Sequence, residues 1–196
     1  MEIDPRNVFI LPGWRSSGPE HWQSLWQQRY GYTRIEQYDW ERPLRGDWMS
    51  QLEEHVLEAS GPVLLVAHSL GCALVAAWAA HSGQAARVHA AMLVAPPNTA
   101  SEMLQPLLHS WTPIERQRLP FAQGHSVVIA STDDPFCSPA LAQDLAHGWG
   151  ARFELWPGLG HINSDSGLED WPQGHAVLQD LMALPPAVGA AVGVAS

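Results

Sequence analysis

The chain has 196 residues, of which 46% are hydrophobic, and this composition is typical of one globular domain with a substantial core. Its formal net charge of −10, from 20 acidic and 10 basic residues, argues against a nucleic-acid or anionic-membrane partner. Every basic residue is arginine, and the absence of lysine excludes a G-x-x-x-x-G-K phosphate loop, a pyridoxal Schiff base and a serine–lysine dyad.

Apolar runs alternate with helical patterns along the chain, which predicts an α/β fold with helices on both faces of a parallel sheet. Right-handed crossovers then give about six strands in the order 2-1-3-4-5-6. The predicted strands are residues 8–11, 34–38, 63–67, 88–94, 126–130 and 152–156. The predicted helices are residues 20–29, 47–59, 70–81, 140–148 and 168–184, with a shorter helix near 99–109.

Two other segments are expected to be irregular. Residues 110–123 contain two prolines and no clear periodicity, and are interpreted as a crossover loop and a candidate cover for the site. The small, uncharged tail 187–196 is predicted to be disordered, which leaves residues 1–186 as the single domain.

The two cysteines do not form a C-x-x-C pair, and the N-terminus is acidic and unlike a secretory signal. Both features predict reduced thiols and a cytoplasmic protein. No apolar run approaches the ~20 residues that a membrane span requires. The histidines show no metal-ligand spacing, so no cofactor is expected.

The strongest local signal lies in the run from Val63 to Gly71. A buried apolar strand is followed at once by an apolar helix, and Ser69 stands between them, with Ala67 and Gly71 two positions away on each side. This pattern predicts a nucleophile elbow, a sharp turn that lifts the serine hydroxyl out of the backbone. The serine could instead simply cap the helix, although a cap does not require small neighbours.

A nucleophilic serine needs a base and a third group that orients the base. His161 follows the last predicted strand on a glycine-rich loop, and Asp133 and Asp134 follow the fifth strand. Because the carboxyl ends of parallel strands meet at one edge, these side chains are expected to lie close to Ser69. The turn after Asp134 favours that residue as the acid, while spacing alone leaves Asp133 as the alternative. The chain order Ser, Asp, His is the order found in α/β hydrolases.

An oxyanion hole is predicted beside the serine, from the backbone N–H of Leu70 and a second donor in the loop after the first strand, for which Trp14 is the candidate. Gly13 would let the backbone approach the substrate closely. Trp40 follows a strand end on the same edge and is a candidate pocket wall. His68 is expected to pack within the elbow, with a direct role as the lesser alternative; the other histidines are interpreted as surface or satisfied, partly buried residues.

Five groups of residues together resemble a known family. They are Leu11-Pro12-Gly13-Trp14 with Pro19-Glu20-His21-Trp22; Asp39-Trp40, Pro43 and Trp48; Ala67-His68-Ser69-Leu70-Gly71; Ser131-Thr132-Asp133-Asp134-Pro135-Phe136; and Gly160-His161-Ile162-Asn163. Over residues 7–184 the chain resembles the small serine-hydrolase family of the α/β-hydrolase superfamily, the group of the vertebrate retinoblastoma-binding serine hydrolase, and its tryptophan-rich motifs resemble the bacterial branch.

The resemblance implies a compact, lidless α/β-hydrolase fold with Ser69 as nucleophile, Asp134 as acid and His161 as base. The chain departs from the common pattern at Ala67, where many hydrolases have glycine. The expected function is cofactor-independent cleavage of small carboxylic esters through an acyl-enzyme, with a small-molecule ester as the only expected partner. The alternatives are a non-catalytic or weakly active binding protein on the same scaffold, and an amide or thioester hydrolase. The sequence leaves the oligomeric state open.

Overall fold

A central sheet of six parallel strands organises residues 3–186, the part of the chain that the computed structural model describes. The strand order is β2-β1-β3-β4-β5-β6, as predicted. The strands are β1 (Val8–Leu11), β2 (Thr33–Arg34), β3 (Val63–His68), β4 (Val88–Val94), β5 (Ser126–Ser131) and β6 (Arg152–Trp156). The α-helices are α1 (Trp22–Tyr30), α2 (Arg45–Glu58), α3 (Leu70–His81), α4 (Pro139–Trp149) and α5 (Pro172–Met182).

The core lies on both faces of the sheet, because successive side chains of a strand point to opposite sides. In β3, Leu65 and Ala67 pack with α2, α3 and α4, whereas Leu64 and Val66 pack with α1 and α5. Strands β3, β4 and β5 are buried along their whole length, which explains why they are continuous apolar runs in the sequence.

The register of the strands brings the loops of interest to one edge. Leu11 at the end of β1 pairs with Ala67 near the end of β3, and Ser131 at the end of β5 pairs with Trp156 at the end of β6. The loops that follow these four strands therefore begin at the same edge of the sheet, where sites of open parallel sheets are built.

Three predicted elements were wrong in type or extent. The second strand is only Thr33–Arg34, since only these two residues pair with β1. The helix expected near 99–109 is a series of turns followed by a 3-10 turn, His109–Trp111, since Pro106 in its middle lacks an N–H and disrupts helical packing. The last helix begins at Pro172 rather than 168, as a proline favours the first helical position.

The predicted crossover loop at 110–123 is irregular apart from the end of that 3-10 turn. Its Trp111 and Leu119 are buried in the core with α2, α3 and α4, and the Leu119 N–H donates to the carbonyl oxygen of Trp149, the last residue of α4. The loop therefore follows the face of the sheet as far as the C-terminal end of α4.

The predicted disordered tail, residues 187–196, lies outside the described residues. Among the helices of residues 3–186, none combines the length and the apolarity that crossing a membrane requires.

Candidate active site

Ser69 occupies the sharp turn between β3 and α3. Its backbone has φ 54° and ψ −122°, a region that residues other than glycine rarely adopt, and its N–H donates to the Val94 carbonyl oxygen at 2.9 Å. A methyl group added at Gly71 would collide with the main-chain oxygen of Leu11, so the helix can approach β1 only because this residue is glycine. The strand, turn and helix thus have the arrangement that the sequence pattern predicts.

Two hydrogen-bonded contacts join Ser69, His161 and Asp134. His161 Nε2 lies 2.9 Å from Ser69 Oγ, and His161 Nδ1 lies 3.0 and 2.9 Å from the two carboxylate oxygens of Asp134. A carboxylate only accepts, so Nδ1–H donates to Asp134 and Nε2 is left to accept the Ser69 hydroxyl proton. The side chains of His161 and Asp134 are only 11% and 2% exposed, so this chain of contacts is shielded from water.

Asp133, the alternative acid, faces a different group. Its Oδ1 accepts hydrogen bonds from the Ser131 hydroxyl at 2.6 Å and from the Gly160 N–H at 2.8 Å. These two hydrogen bonds hold the pKa of the Asp133 carboxyl below its usual range, and the bond from Ser131 has the larger effect. Asp133 therefore fixes the backbone just before His161, whereas Asp134 contacts the imidazole itself.

The loop that carries His161 is fastened to the end of β5 by three consecutive amides. The N–H groups of residues 158, 159 and 160 donate to Thr132 Oγ1, Ser131 Oγ and Asp133 Oδ1, at 3.0, 2.8 and 2.8 Å. The sequence reasoning missed this clamp, although the run Ser131-Thr132-Asp133 supplies one side-chain oxygen at each position and could have indicated it.

Phe136 is a second residue whose contact the sequence reasoning missed. Its half-buried ring packs edge-on against His161, with the ring centres 4.6 Å apart, and its N–H donates to Asp134 Oδ1 at 2.8 Å. One residue therefore covers the imidazole and also holds the carboxylate in place.

The loop after β1 runs directly against Ser69. A Cβ added at Gly13 would lie 2.7 Å from Ser69 Cβ and 3.2 Å from its Oγ, so this close approach requires glycine. Leu70 is the first residue of α3, where a backbone N–H has no carbonyl partner within its own helix. Within residues 3–186, neither the Leu70 N–H nor the Trp14 N–H donates to a protein acceptor, so both are free to bind a developing oxyanion.

Two half-buried tryptophans lie beside this loop. The Trp14 indole N–H donates to the Glu41 carbonyl oxygen at 3.0 Å, and the carbonyl oxygen of Trp40 accepts from the Arg15 N–H at 3.1 Å. The Trp40 ring packs edge-on against buried Trp48, with the ring centres 5.2 Å apart. The candidate wall residue Trp40 is therefore fixed to the same loop that carries Trp14.

His68 lies within the elbow, as expected, and it contacts two other histidines. Its ring centre lies 4.9 Å from that of His161 and 4.7 Å from that of His21. Burial, together with the neighbouring histidines, holds the pKa of His68 well below its ordinary value. Burial also lowers the pKa of His21 to about 3. Both rings are therefore neutral at neutral pH.

The interpretation of His21 as a surface or satisfied residue was wrong. It is only 4% exposed, and its Nε2 has no hydrogen-bond partner among the described residues. Its Nδ1 instead accepts the Gln23 N–H at the start of α1. The imidazole serves as a helix cap, a role for which histidine gives no signal in a sequence.

Neither thiol competes with Ser69 as a nucleophile. Cys72 and Cys137 are free and buried, and burial raises the pKa of both, that of Cys137 to about 12. Within residues 3–186, no three His, Cys, Asp or Glu side chains are grouped in a way that could hold a metal ion.

The chain is similar in sequence and structure to several known proteins. The model of the serine hydrolase family matches residues 8–180. The chain is 28% identical to YdeN of Bacillus subtilis over 183 residues, which cover 88% of this chain and 94% of YdeN. A crystal structure of a YdeN-like protein from Pectobacterium atrosepticum is 26% identical, with a TM-score of 0.76 and coverage of 89% of each chain.

Structural alignments at lower sequence identity are evidence for the fold alone. The structure of Bacillus subtilis YdeN has a TM-score of 0.72 at 22% identity and covers 90% of this chain and 98% of its own. An alpha/beta hydrolase enzyme from a lagoon-sediment metagenome has a TM-score of 0.63 at 14% identity and covers 88% of both chains. The sheet order and these neighbours establish an α/β-hydrolase fold.

Proposed function

The chain belongs to the serine hydrolase family and is a hydrolase, and on this premise we propose that it cleaves small carboxylic esters with Ser69, His161 and Asp134 as its catalytic residues. The observation that carries the proposal is the continuous set of contacts from Ser69 Oγ through His161 to the Asp134 carboxylate. It begins on a strained turn that presents the serine hydroxyl at the carboxyl edge of the sheet.

The proposed mechanism assigns each group one task. Ser69 Oγ attacks the ester carbonyl carbon while His161 Nε2 takes the hydroxyl proton. The oxygen of the tetrahedral intermediate carries the negative charge, and the N–H groups of Leu70 and Trp14 bind it. His161 then gives the proton to the leaving alcohol, and Asp134 stabilises the imidazolium throughout. A water molecule hydrolyses the acyl-enzyme by the same steps.

The surroundings of Ser69 favour an apolar acyl group. Trp14, Trp40 and Phe136 are half-buried aromatic residues that pack against the core on the side of α2, α3 and α4. Aromatic side chains supply large apolar contact areas, while charged side chains such as Arg15 and Glu41 pair with each other at 3.0 Å. A neutral ester with a small apolar acyl group suits this arrangement.

The test is covalent labelling of Ser69 with a fluorophosphonate probe. We expect the wild-type protein to be labelled and to hydrolyse p-nitrophenyl acetate, and Ser69→Ala to lose both activities, because within residues 3–186 the hydroxyl that His161 Nε2 contacts is that of Ser69. The matched control is Ser60→Ala, since Ser60 is an exposed serine just before β3, at the opposite edge of the sheet. This variant is expected to be labelled at the wild-type rate.

Intact-protein mass spectrometry and circular dichroism complete the test. Mass spectrometry should show a single phosphonylated serine, and circular dichroism should show that Ser69→Ala keeps the fold. Undiminished labelling of a folded Ser69→Ala protein would exclude this residue as the nucleophile.

A further inference from the structure

His68, the residue before the nucleophile, contacts His161 in two places. Its Nε2 lies 2.9 Å from the main-chain oxygen of His161, and its ring packs against the imidazole of the same residue. A carbonyl oxygen only accepts, so Nε2 of His68 carries the proton and donates it. One side chain, anchored on β3, thus holds both the backbone and the ring of His161.

The surroundings of His68 also fix its charge. The ring is 5% exposed, and the titratable groups that face it are His21, from the start of α1, and His161, from the loop after β6. The charge of Arg34 of β2 lowers the pKa of His21, and Asp134 contacts Nδ1 of His161. Burial and these neighbours hold the pKa of His68 well below its ordinary value, so the ring stays neutral.

We propose that His68 is a positioning residue for His161, which its Nε2–H holds against Ser69 while it adds no charge beside the imidazole; this inference rests on the proposed function. The hydrogen bond crosses from β3 to the loop after β6, two segments that are otherwise far apart in the sequence. It complements the clamp at residues 131–133, which fixes the residues before His161 but not His161 itself.

A neutral neighbour matters because His161 becomes an imidazolium each time Ser69 loses its proton. A second cation in ring contact would oppose that charge and weaken the base. The neutral donor at position 68 therefore orients His161 without lowering its basicity. The buried ring of His21 also packs against His68, with the ring centres 4.7 Å apart, and keeps water from solvating a charge there.

The experiment compares a donor-retaining with two donor-lacking substitutions. His68→Gln places an amide N–H at the reach of Nε2, His68→Phe keeps the ring but removes the donor, and His68→Met serves as the second donor-lacking variant if Phe does not fold. The measurements are kcat and KM for p-nitrophenyl acetate, the melting temperature, and the titration of His161 followed by NMR with ¹³C-labelled histidine. His161→Gln identifies the resonance of His161.

We expect the Phe and Met variants to lose roughly 10- to 100-fold in kcat with little change in KM, because a misplaced base slows proton transfer without altering ester binding. The Gln variant is expected to retain most of the wild-type rate. The titration midpoint of His161 is expected to move in the donor-lacking variants and to stay in place in the Gln variant.

Equal losses of kcat in all three variants, or wild-type kcat in a folded Phe variant, would overturn the proposal, since packing alone would then explain position 68. If the wild-type protein neither hydrolyses the ester nor reacts with the fluorophosphonate probe, the proposed function fails, and the NMR titration still decides this inference. A midpoint that moves without the donor and returns with Gln supports it, whereas a midpoint that is the same in every variant overturns it.

Discussion

Two neighbouring aspartates with the same chemistry contact different parts of the His161 loop. Asp134 places both carboxylate oxygens against His161 Nδ1, and Asp133 accepts the N–H of Gly160. Both residues lie in the turn after β5, whose backbone directs the two side chains to different groups. The proposed acid and the anchor of the base loop therefore differ by one position in the sequence.

Because the two aspartates contact different groups, we predict that replacing each of them with asparagine has a different effect on activity. Asp134→Asn is expected to reduce kcat on an activated ester by roughly 10³- to 10⁴-fold, because an amide can offer an N–H to Nδ1 and stabilise the wrong tautomer of His161. Asp133→Asn keeps an oxygen that accepts the Gly160 N–H, so its loss in kcat is expected to be much smaller. Steady-state assays of both variants measure the ratio, and a larger loss in Asp133→Asn would contradict the proposed roles.

Sequence reasoning could reach this pair of residues but not choose between them by spacing. Strand order and the rule that loops meet at the carboxyl edge suffice to bring the regions of Ser69 and His161 together. The direction of each side chain depends on backbone angles in the turn after β5, which the residue types alone do not specify. For the same reason the ring contacts of Phe136 and the capping role of His21 were not foreseen.

At the scale of elements, α1 depends on an unusual cap. His21 Nδ1 accepts the Gln23 N–H at 3.1 Å, and the buried ring must stay neutral to do so, because a protonated imidazole has no acceptor. Burial lowers the pKa of His21 to about 3, whereas an unfolded histidine titrates near ~6.5. Between these values the unfolded chain binds more protons than the folded protein, so the free energy of unfolding falls as the pH falls.

We therefore predict that His21→Asn makes the protein less sensitive to acid. Asparagine is a good N-cap, and it removes the titration, so the slope of the unfolding free energy should become shallower by about 1.4 kcal/mol per pH unit between about pH 6 and 4. Urea denaturation at several pH values measures this slope. The control is His109→Asn, because His109 is exposed; an equal change of slope in both variants would refute the prediction.

The predicted bounds of a helix or strand are accurate where the local sequence pattern alone determines them. Strands β1 and β4 and helix α3 have the predicted bounds, since their apolar patterns coincide with buried positions. Strand β6 also has the predicted bounds, although its residues are half-buried or exposed. Strand β2 is short because only two of its residues pair with β1, and this pairing is tertiary information. The expected helix near 99–109 failed where Pro106 overrode a weak periodicity.

At the scale of the whole molecule, the site is assembled from loops that follow β1, β3, β5 and β6. Strand β3 lies between β1 and β4, so the loop with Gly13 and Trp14 flanks Ser69 on one side, while the loops with Asp134 and His161 approach from the other. Each pair of contacts joins distant parts of the chain. Any change that loosens the packing of the sheet is therefore expected to affect the site before it affects the central strands.

The same architecture limits the acyl groups that the site can favour. The crossover between β4 and β5 buries Leu104, Leu108 and Trp111 in the core on the face of α2, α3 and α4. These apolar side chains are buried in the core, so we expect them to leave little apolar surface for a long acyl chain. The half-buried aromatic residues near the site are Trp14, which follows Gly13 in the loop that runs against Ser69, Trp40, which is fixed to that loop, and Phe136, whose ring packs against His161.

We predict that p-nitrophenyl acetate and butyrate have higher kcat/KM values than the palmitate ester. A methylene group gains about 0.8 kcal/mol only when it is removed from water, and we expect a chain longer than a few carbons to extend past Trp14, Trp40 and Phe136 into solvent. Because a long chain gains little contact with the protein, we also expect the rate to show no abrupt increase at the concentration where a long-chain ester aggregates. Assays over a series of chain lengths, with Ser69→Ala as the background, measure both quantities. A kcat/KM that rises steadily to palmitate would contradict the prediction and would show that the site holds a long acyl chain away from water along its whole length.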